Sequence, residues 1–296
     1  MTGIKHFPKN LDIRGKIILL RLDLNVPLKE KVIQDHTRID QILPFLKELS
    51  EKKSKIIILS HLGRPKGIKD SSLSLLPIYK YLKEKLDTNT YFFTGEINDE
   101  LKVKCSYLNE GEIILIENIR FFKEETENDD NFAKKLGGLA EIFINDAFSC
   151  SHRKQASIYN ITKYVNNSFA GPLLQKEINA IDLVVKNKKD PVTCIIGGSK
   201  ISTKIRVISN LIKKSNNIVV VGAMANNFLA YKDFKVGKSL VEDDSEKIIE
   251  QIYKDAKNNN CKIILPEDCL TSLSFEGEPQ TKNKDLIEKD DIILDI

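Results

Sequence analysis

The chain has 296 residues, 41% hydrophobic, 30% charged and 7% aromatic, with a net charge of +4: enough for one large or two medium cores, and without the basic-aromatic stripe that binds nucleic acid. Residues 1–10 lack the apolar stretch of a secretory signal, no apolar run approaches the ~20 residues of a membrane span, and the five scattered cysteines show neither a disulfide framework nor metal-ligand spacing. The expectation is a soluble, cytoplasmic protein with reduced thiols and no membrane or nucleic-acid partner.

A first strand is predicted over 16–22, an apolar run that leads into Asp23-Leu24-Asn25-Val26-Pro27. Asp23 and Asn25 are two apart. If the strand continues they share a face, where an acid and an amide can bond a hydroxyl. Residues 37–52, with Arg38 near their start, have helical period. A second strand, 55–60, runs into His61-Leu62-Gly63-Arg64-Pro65, where Gly63 and Pro65 shape a tight turn around an imidazole and a cation. A helix over 75–85 follows. The strand 113–116 leads into Glu117-Asn118-Ile119-Arg120-Phe121. After a helix over 131–136, the strand 141–144 leads into Asn145-Asp146-Ala147-Phe148 and Ser151-His152-Arg153.

Gly171-Pro172 opens an amphipathic stretch, 173–186, that residues 187–191 close with Asp190-Pro191. It reads as a helix linking two lobes, or as a crossover helix within one sheet. Beyond it lie strands at 192–196, 218–221, 263–265 and 291–294, and helices at 200–213, 223–231 and 245–257. The near-continuous apolar runs suit parallel strands covered on both faces, and the βαβα order predicts an α/β fold with a doubly wound sheet.

Ligands of such sheets bind beyond the carboxyl ends of the strands, which is where these motifs fall. Only seven of the 46 basic residues are arginine, and Arg21, Arg38, Arg64, Arg120 and Arg153 fall in loop-like motifs rather than on helix faces. A guanidinium grips a carboxylate or phosphate with two parallel hydrogen bonds, so the set predicts a pocket for a small, highly charged anion. The other reading is chance retention in a lysine-rich chain. No nucleophile is paired with a base, so positioning and charge neutralisation are the chemistry available. In the second half, Gly197-Gly198-Ser199-Lys200 follows a strand. If a helix starts at Lys200, its free N–H groups meet an anion, and Lys200 and Lys204 share a face. The spacing is neither that of a P-loop nor that of a dinucleotide fingerprint. Gly222, after the next strand, suits the floor of a base or ribose pocket.

In their order and spacing, RLDLNVP (21–27), SHLGRPKG (60–67), ENIRFF (117–122), NDAF with SHR (145–153), IIGGSKISTK (195–204), VGAMANNFLA (221–230) and VGKSL (236–240) resemble the phosphoglycerate kinases, of bacterial type. The resemblance covers the whole chain. It implies two Rossmann-like lobes: residues 1–170 binding 3-phosphoglycerate or 1,3-bisphosphoglycerate, a hinge helix over 171–188, and residues 189–296 as part of a lobe for ATP or ADP with Mg²⁺. It implies a monomer that transfers a phosphoryl group reversibly between 1,3-bisphosphoglycerate and ADP, the lobes closing to exclude water. Asp23 and Asn25 would hold the glycerate. Arg38, His61, Arg64, Arg120 and Arg153 would bind carboxylate and phosphate, Arg38 also stabilising the transferring group. Gly197, Gly198, Lys200, Lys204 and Gly222 would serve the nucleotide, Lys200 also neutralising charge in the transition state.

Two departures stand out. Phe148-Ser149-Cys150-Ser151 replaces a family stretch that more often carries glycine and small residues. The chain also ends at Ile293-Leu294-Asp295-Ile296, before the family's glycine-rich segment and its metal-binding aspartate. The expectation from this ending is a truncated copy with an incomplete second lobe, little turnover and no metal ligand of its own. The alternative expectation is a non-catalytic glycerate-binding protein.

Overall fold

Successive side chains of a strand point to opposite faces, and this alternation builds the first half of the protein. In β1 (Ile17–Arg21), Ile18 and Leu20 enter one buried cluster and Leu19 enters another. β4 (Lys55–Leu59) repeats this with Ile56 and Ile58 against Ile57 and Leu59. So does β6 (Ile113–Ile116), with Ile113 and Leu115 against Ile114 and Ile116. These assignments come from a computed structural model that describes residues 4–186 and 190–296, the side chains of 184–186 excepted. Two compact units appear, residues 1–180 and 181–296.

In the first unit a two-stranded hairpin, β2 (Leu28–Lys29) and β3 (Val32–Ile33), precedes α1 (Thr37–Glu51). The remaining elements are α2 (Leu76–Lys85), β5 (Thr90–Phe93), α3 (Asp99–Ser106), α4 (Lys123–Glu127), α5 (Asp130–Gly137), β7 (Ile142–Asn145), β8 (Asn167–Ala170) and α6 (Pro172–Lys186). Six strands pair in the order β5-β6-β4-β1-β7-β8, all parallel. α1 and α2 give Ile39, Ile42, Phe45, Leu46, Leu49, Ile78 and Leu82 to one cluster. α3 and α5 give Leu101, Cys105, Phe132, Ala133 and Leu136 to the other. The sheet is therefore covered on both faces, as the continuous apolar runs require. Side-chain caps set two helix starts: Asn98 Oδ1 accepts the Leu101 N–H at 3.2 Å, and Asp129 Oδ1 accepts the Phe132 N–H at 2.7 Å.

The sequence pattern missed β5 and β8. They are the two edges of the sheet, where one side needs no neighbour, and their sequences, TYFF and NSFA, carry no aliphatic run. β1 also stops at Arg21, so Asp23 and Asn25 lie in a loop and not on a continuing strand.

In the second unit, β9 (Thr193–Gly197), β10 (Asn217–Val221) and β11 (Lys262–Ile264) form a parallel sheet in the order β11-β10-β9. α7 (Ile205–Ile212), α8 (Ala223–Tyr231) and α9 (Glu246–Asn258) pack on Ile196, Ile218 and Val220 in a single cluster. The expectation of strands covered on both faces meets an exception at Ile195, which is 71% exposed. β12 (Asp268–Ser272), β13 (Gln280–Asn283) and β14 (Ile292–Asp295) form a separate antiparallel sheet. The run at 291–294 thus belongs to this sheet and not to a parallel one, because a short apolar run does not specify its partner. The expected closing signal of the 173–186 helix falls partly on 187–189, outside the described residues.

Leu20, the fourth residue of β1, is fully buried. Leu20→Ala is expected to lower the unfolding free energy by about 2–5 kcal/mol, read from a denaturant midpoint with unchanged slope.

Candidate active site

The parallel register aligns Arg21 with Leu59 on one side and with Asn145 on the other, so the loops after β1, β4, β6 and β7 leave the sheet at one edge. Side chains bind these loops together. Ser60 Oγ accepts the Leu24 N–H and donates to the Leu22 carbonyl, both at 2.9 Å. Asn25 Oδ1 accepts the Gly63 N–H at 2.9 Å. Asn118 Nδ2 donates to the Leu62 carbonyl at 2.7 Å, and Arg120 donates to the Gly63 carbonyl at 2.8 Å. Three of these segments, the loops after β1, β4 and β6, are thereby tied into one floor.

Beneath the floor is Arg21. It ends β1 with 0% exposure, which corrects its placement among loop arginines. Its guanidinium donates to Ser157 Oγ at 2.9 Å, to the Leu22 carbonyl at 2.5 Å and to His61 Nδ1 at 3.2 Å. A guanidinium has no acceptor, so His61 Nδ1 must accept, and the neutral ring carries its proton on Nε2. Burial holds the His61 pKa down to about 2, helped by the charges of Arg21, Arg120, Arg153 and Arg38. Glu125, fully buried in α4, accepts the Ser157 N–H at 2.8 Å and its hydroxyl at 2.7 Å. Burial pushes the Glu125 carboxyl up, against the pull of Arg21 and Ser157.

Above the floor the guanidiniums are less committed. Burial, together with Arg153 and Arg21, brings Arg120 down to about 10, and its Nε is buried with no partner among the described residues. Arg64 is exposed and Arg153 half-buried, and neither side chain makes a hydrogen bond or ion pair among the described residues. His152 is exposed and takes no part in the His61 network. Arg38 is the second residue of α1, so it is presented by a helix and not by a loop. It donates to Asp23 Oδ2 at 2.9 Å and to the Asn25 carbonyl at 3.1 Å, with 51% of its side chain exposed against 15% for Asp23. Asp23 and Arg38 line a cleft of about 250 Å³ with Asp146, Ser149 and Lys176. Asp146 Oδ1 accepts the Leu174 N–H in the first turn of α6 at 2.8 Å, while its Oδ2 is buried without a partner among the described residues. Burial raises its pKa to about 6.

In the second unit, Gly197-Gly198 at the end of β9 lies beside Gly222 at the end of β10. A Cβ on Gly197 would come within 2.8 Å of Val221 Cγ2, and Gly198 and Gly222 adopt φ values of +147° and +65°. Only glycine takes such geometry without strain. The Met224 N–H donates to the Gly198 carbonyl at 2.7 Å. α7, however, begins at Ile205, so Lys200 lies in the preceding loop and Lys204 is the residue before the helix. The expected pair of lysines on a helical first turn is not formed. Local polar bonds compete with helix there: Thr203 Oγ1 donates to the Lys200 carbonyl at 3.0 Å, and the Ser202 N–H and hydroxyl both donate to Glu242.

The family model for phosphoglycerate kinase matches residues 9–296. The phosphoglycerate kinase of Wolbachia pipientis wMel is 43% identical over 289 residues, 97% of this chain and 72% of that relative. That of Chelativorans sp. is 40% identical over 298 residues, 100% of this chain and 75% of the relative. The solved phosphoglycerate kinase of Coxiella burnetii superposes with a TM-score of 0.82 at 34% identity, covering 96% of this chain and 72% of that one. The enzyme from Pyrococcus horikoshii OT3, at 24% identity and a TM-score of 0.79, shares the fold.

The chain belongs to the phosphoglycerate kinase family. Its activity is that of a phosphotransferase acting on phosphoglycerate with ATP or ADP, a glycolytic kinase.

The support of the site carries no signal in the sequence. Glu125 sits in Lys123-Glu124-Glu125-Thr126-Glu127, which reads as a solvated face, and only the fold makes one of its three glutamates fully buried. Ser157 and Gln155, which meet Arg21 and Arg120, follow the SHR motif without any marker of their own.

His61 has its ordinary value of 6.5 when unfolded and about 2 when folded, so the unfolded chain takes up a proton first. Stability from this group is complete above the ordinary value and falls as pH drops below it. Asp146, raised to about 6, works in the opposite sense, because the folded state holds its proton longer. The comparison with His61→Asn isolates the imidazole. The unfolding free energy of the unaltered chain minus that of the variant is expected to fall by about 2 kcal/mol between about pH 7 and about pH 5.

Proposed function

We propose that the first unit's cleft edge is the phosphoglycerate site and the second unit's glycine turns are the nucleotide site. The observation that carries this reading is a charge imbalance. Four guanidiniums act on His61, while the carboxylates beside them are two: Asp23, paired with Arg38, and Glu125, buried behind Arg21. Crowded cations raise the energy of the empty site, and an anion bearing both a phosphate and a carboxylate relieves it. In this reading Arg38 binds the carboxyl end and stabilises the transferring group. Arg64, Arg120 and Arg153 bind phosphate, and neutral His61 donates from Nε2. Asp23 accepts the glycerate hydroxyl. Asn25, whose Oδ1 is engaged by Gly63, donates from Nδ2.

For the nucleotide, Gly197, Gly198 and Gly222 permit close backbone approach, and Lys200 and Lys204 supply positive charge from the loop before α7. Among the described residues no group of three or more His, Cys, Asp or Glu side chains is placed to hold a metal. In this proposal Mg²⁺ comes bound to the nucleotide phosphates. Phosphoryl transfer asks for alignment and dispersed positive charge and not for a protein nucleophile, which suits the residues present. The proposal includes lobes at 1–170 and 189–296 joined by 171–188, a monomer, and a cytoplasmic location. Among the described residues no helix is long and apolar enough to cross a membrane.

Calorimetric titration with 3-phosphoglycerate is expected to give saturable one-to-one binding. Arg38→Ala should weaken it roughly 10- to 100-fold, the worth of one charge-assisted contact. Equal binding by the variant would remove Arg38 from the site. Lys204→Ala is expected to weaken ADP by a similar factor, leaving 3-phosphoglycerate unchanged.

A further inference from the structure

Ser149 lies on the same cleft as Asp23 and Arg38, in the single turn Phe148–Cys150 that follows β7. Its hydroxyl donates to Asp23 Oδ2, the oxygen that also accepts from Arg38. A carboxylate oxygen offers two lone pairs. On Oδ2 both are in use, while Oδ1 accepts the Asn25 N–H at 3.1 Å and keeps one. An incoming alcohol at Oδ2 therefore meets an alcohol already there.

The turn that carries Ser149 is held by other bonds. Cys150 Sγ and Ser151 Oγ donate to the Ala147 carbonyl at 3.5 and 2.8 Å. Asn145 accepts the Ala147 N–H at 3.0 Å and donates to Ser151 Oγ at 3.1 Å. None of these bonds uses the Ser149 hydroxyl. It can leave Asp23 by rotation about its own χ1 while the backbone stays in place.

We infer that Ser149 is a placeholder for the substrate hydroxyl, a positioning residue that sets the affinity and hydroxyl selectivity of the site through Asp23. The inference rests on the assignment of Asp23 to the glycerate hydroxyl. Without ligand, Ser149 keeps the Asp23 carboxylate satisfied and aligned with Arg38. A hydroxylated ligand exchanges its own hydroxyl for that of Ser149 and gains only the difference. A ligand without the hydroxyl makes no exchange, so loss of Ser149 gives it no advantage.

The test is calorimetric titration of the full chain, Ser149→Ala and Ser149→Thr with two probes: 3-phosphoglycerate, and 3-phosphooxypropanoate, which lacks the hydroxyl. Ser149→Ala is expected to bind 3-phosphoglycerate roughly 3- to 10-fold tighter, a fraction of a charge-assisted hydrogen bond, and to bind the deoxy probe unchanged. Ser149→Thr keeps the hydroxyl and should match the unaltered chain. Equal change for both probes overturns the placeholder role, as does weaker binding of 3-phosphoglycerate by Ser149→Ala. If the unaltered chain binds neither probe, the glycerate assignment itself falls, and the placeholder falls with it. The unaltered chain's own titration thus tells the two failures apart.

Discussion

A fully buried arginine at the end of the central strand is the constraint on which the first unit's functional edge depends. Arg21 cannot give up its charge, and an uncompensated buried cation would cost several kcal/mol. The fold answers with Ser157, the Leu22 carbonyl and the His61 ring as direct acceptors, and with Glu125 behind them. Each partner comes from a different stretch of chain. Satisfying one guanidinium therefore draws the loops after β1 and β4, helix α4 and the segment after β7 to one point.

That arrangement decides the state of His61. Because Arg21 needs an acceptor, the imidazole stays neutral and carries its proton on Nε2. Arg120 and Arg153 add further positive charge beside Arg21, and burial of Arg120 makes that repulsion matter. An anion bound there, as proposed, would relieve that repulsion. Glu125 is kept behind the floor and Asp23 is engaged with Arg38, while Asp146 lines the cleft with its Oδ1 held by the start of α6. The cationic edge is thus a by-product of how the sheet core accommodates one charge, and binding chemistry is built on that base.

Much of the fold was legible because its signal is local. Continuous aliphatic runs at β1, β4, β6, β7, β9 and β10 announce strands covered by helices, and Gly197-Gly198 and Gly222 mark turns that only glycine takes easily. Edge strands β5 and β8 gave no such signal, since an edge needs fewer apolar neighbours. The start of α7 was misplaced by five residues because Glu242, distant in sequence, captures Ser202 and holds the loop open. The partner of β14 was equally invisible, because an apolar run states that it is buried and not which strand it pairs with.

By itself the sequence determined the α/β class, the strand-end motifs that carry the polar and charged residues, and the phosphoglycerate kinase family. The class follows from periodicity and glycine geometry, which are short-range properties of the chain, and the family from the resemblance of its motifs to those of the phosphoglycerate kinases. Only tertiary structure decided which of those residues stand exposed at the sheet edge and which are buried beneath it. Arg21 and Arg38 are the same residue type, 17 positions apart in sequence numbering, yet one is sealed under the sheet edge and the other stands half-exposed on α1. The same is true of Glu125 among its neighbouring glutamates, and of Ser149 on Asp23. Burial and partner choice are set by what arrives from elsewhere in the chain, and no local pattern encodes that.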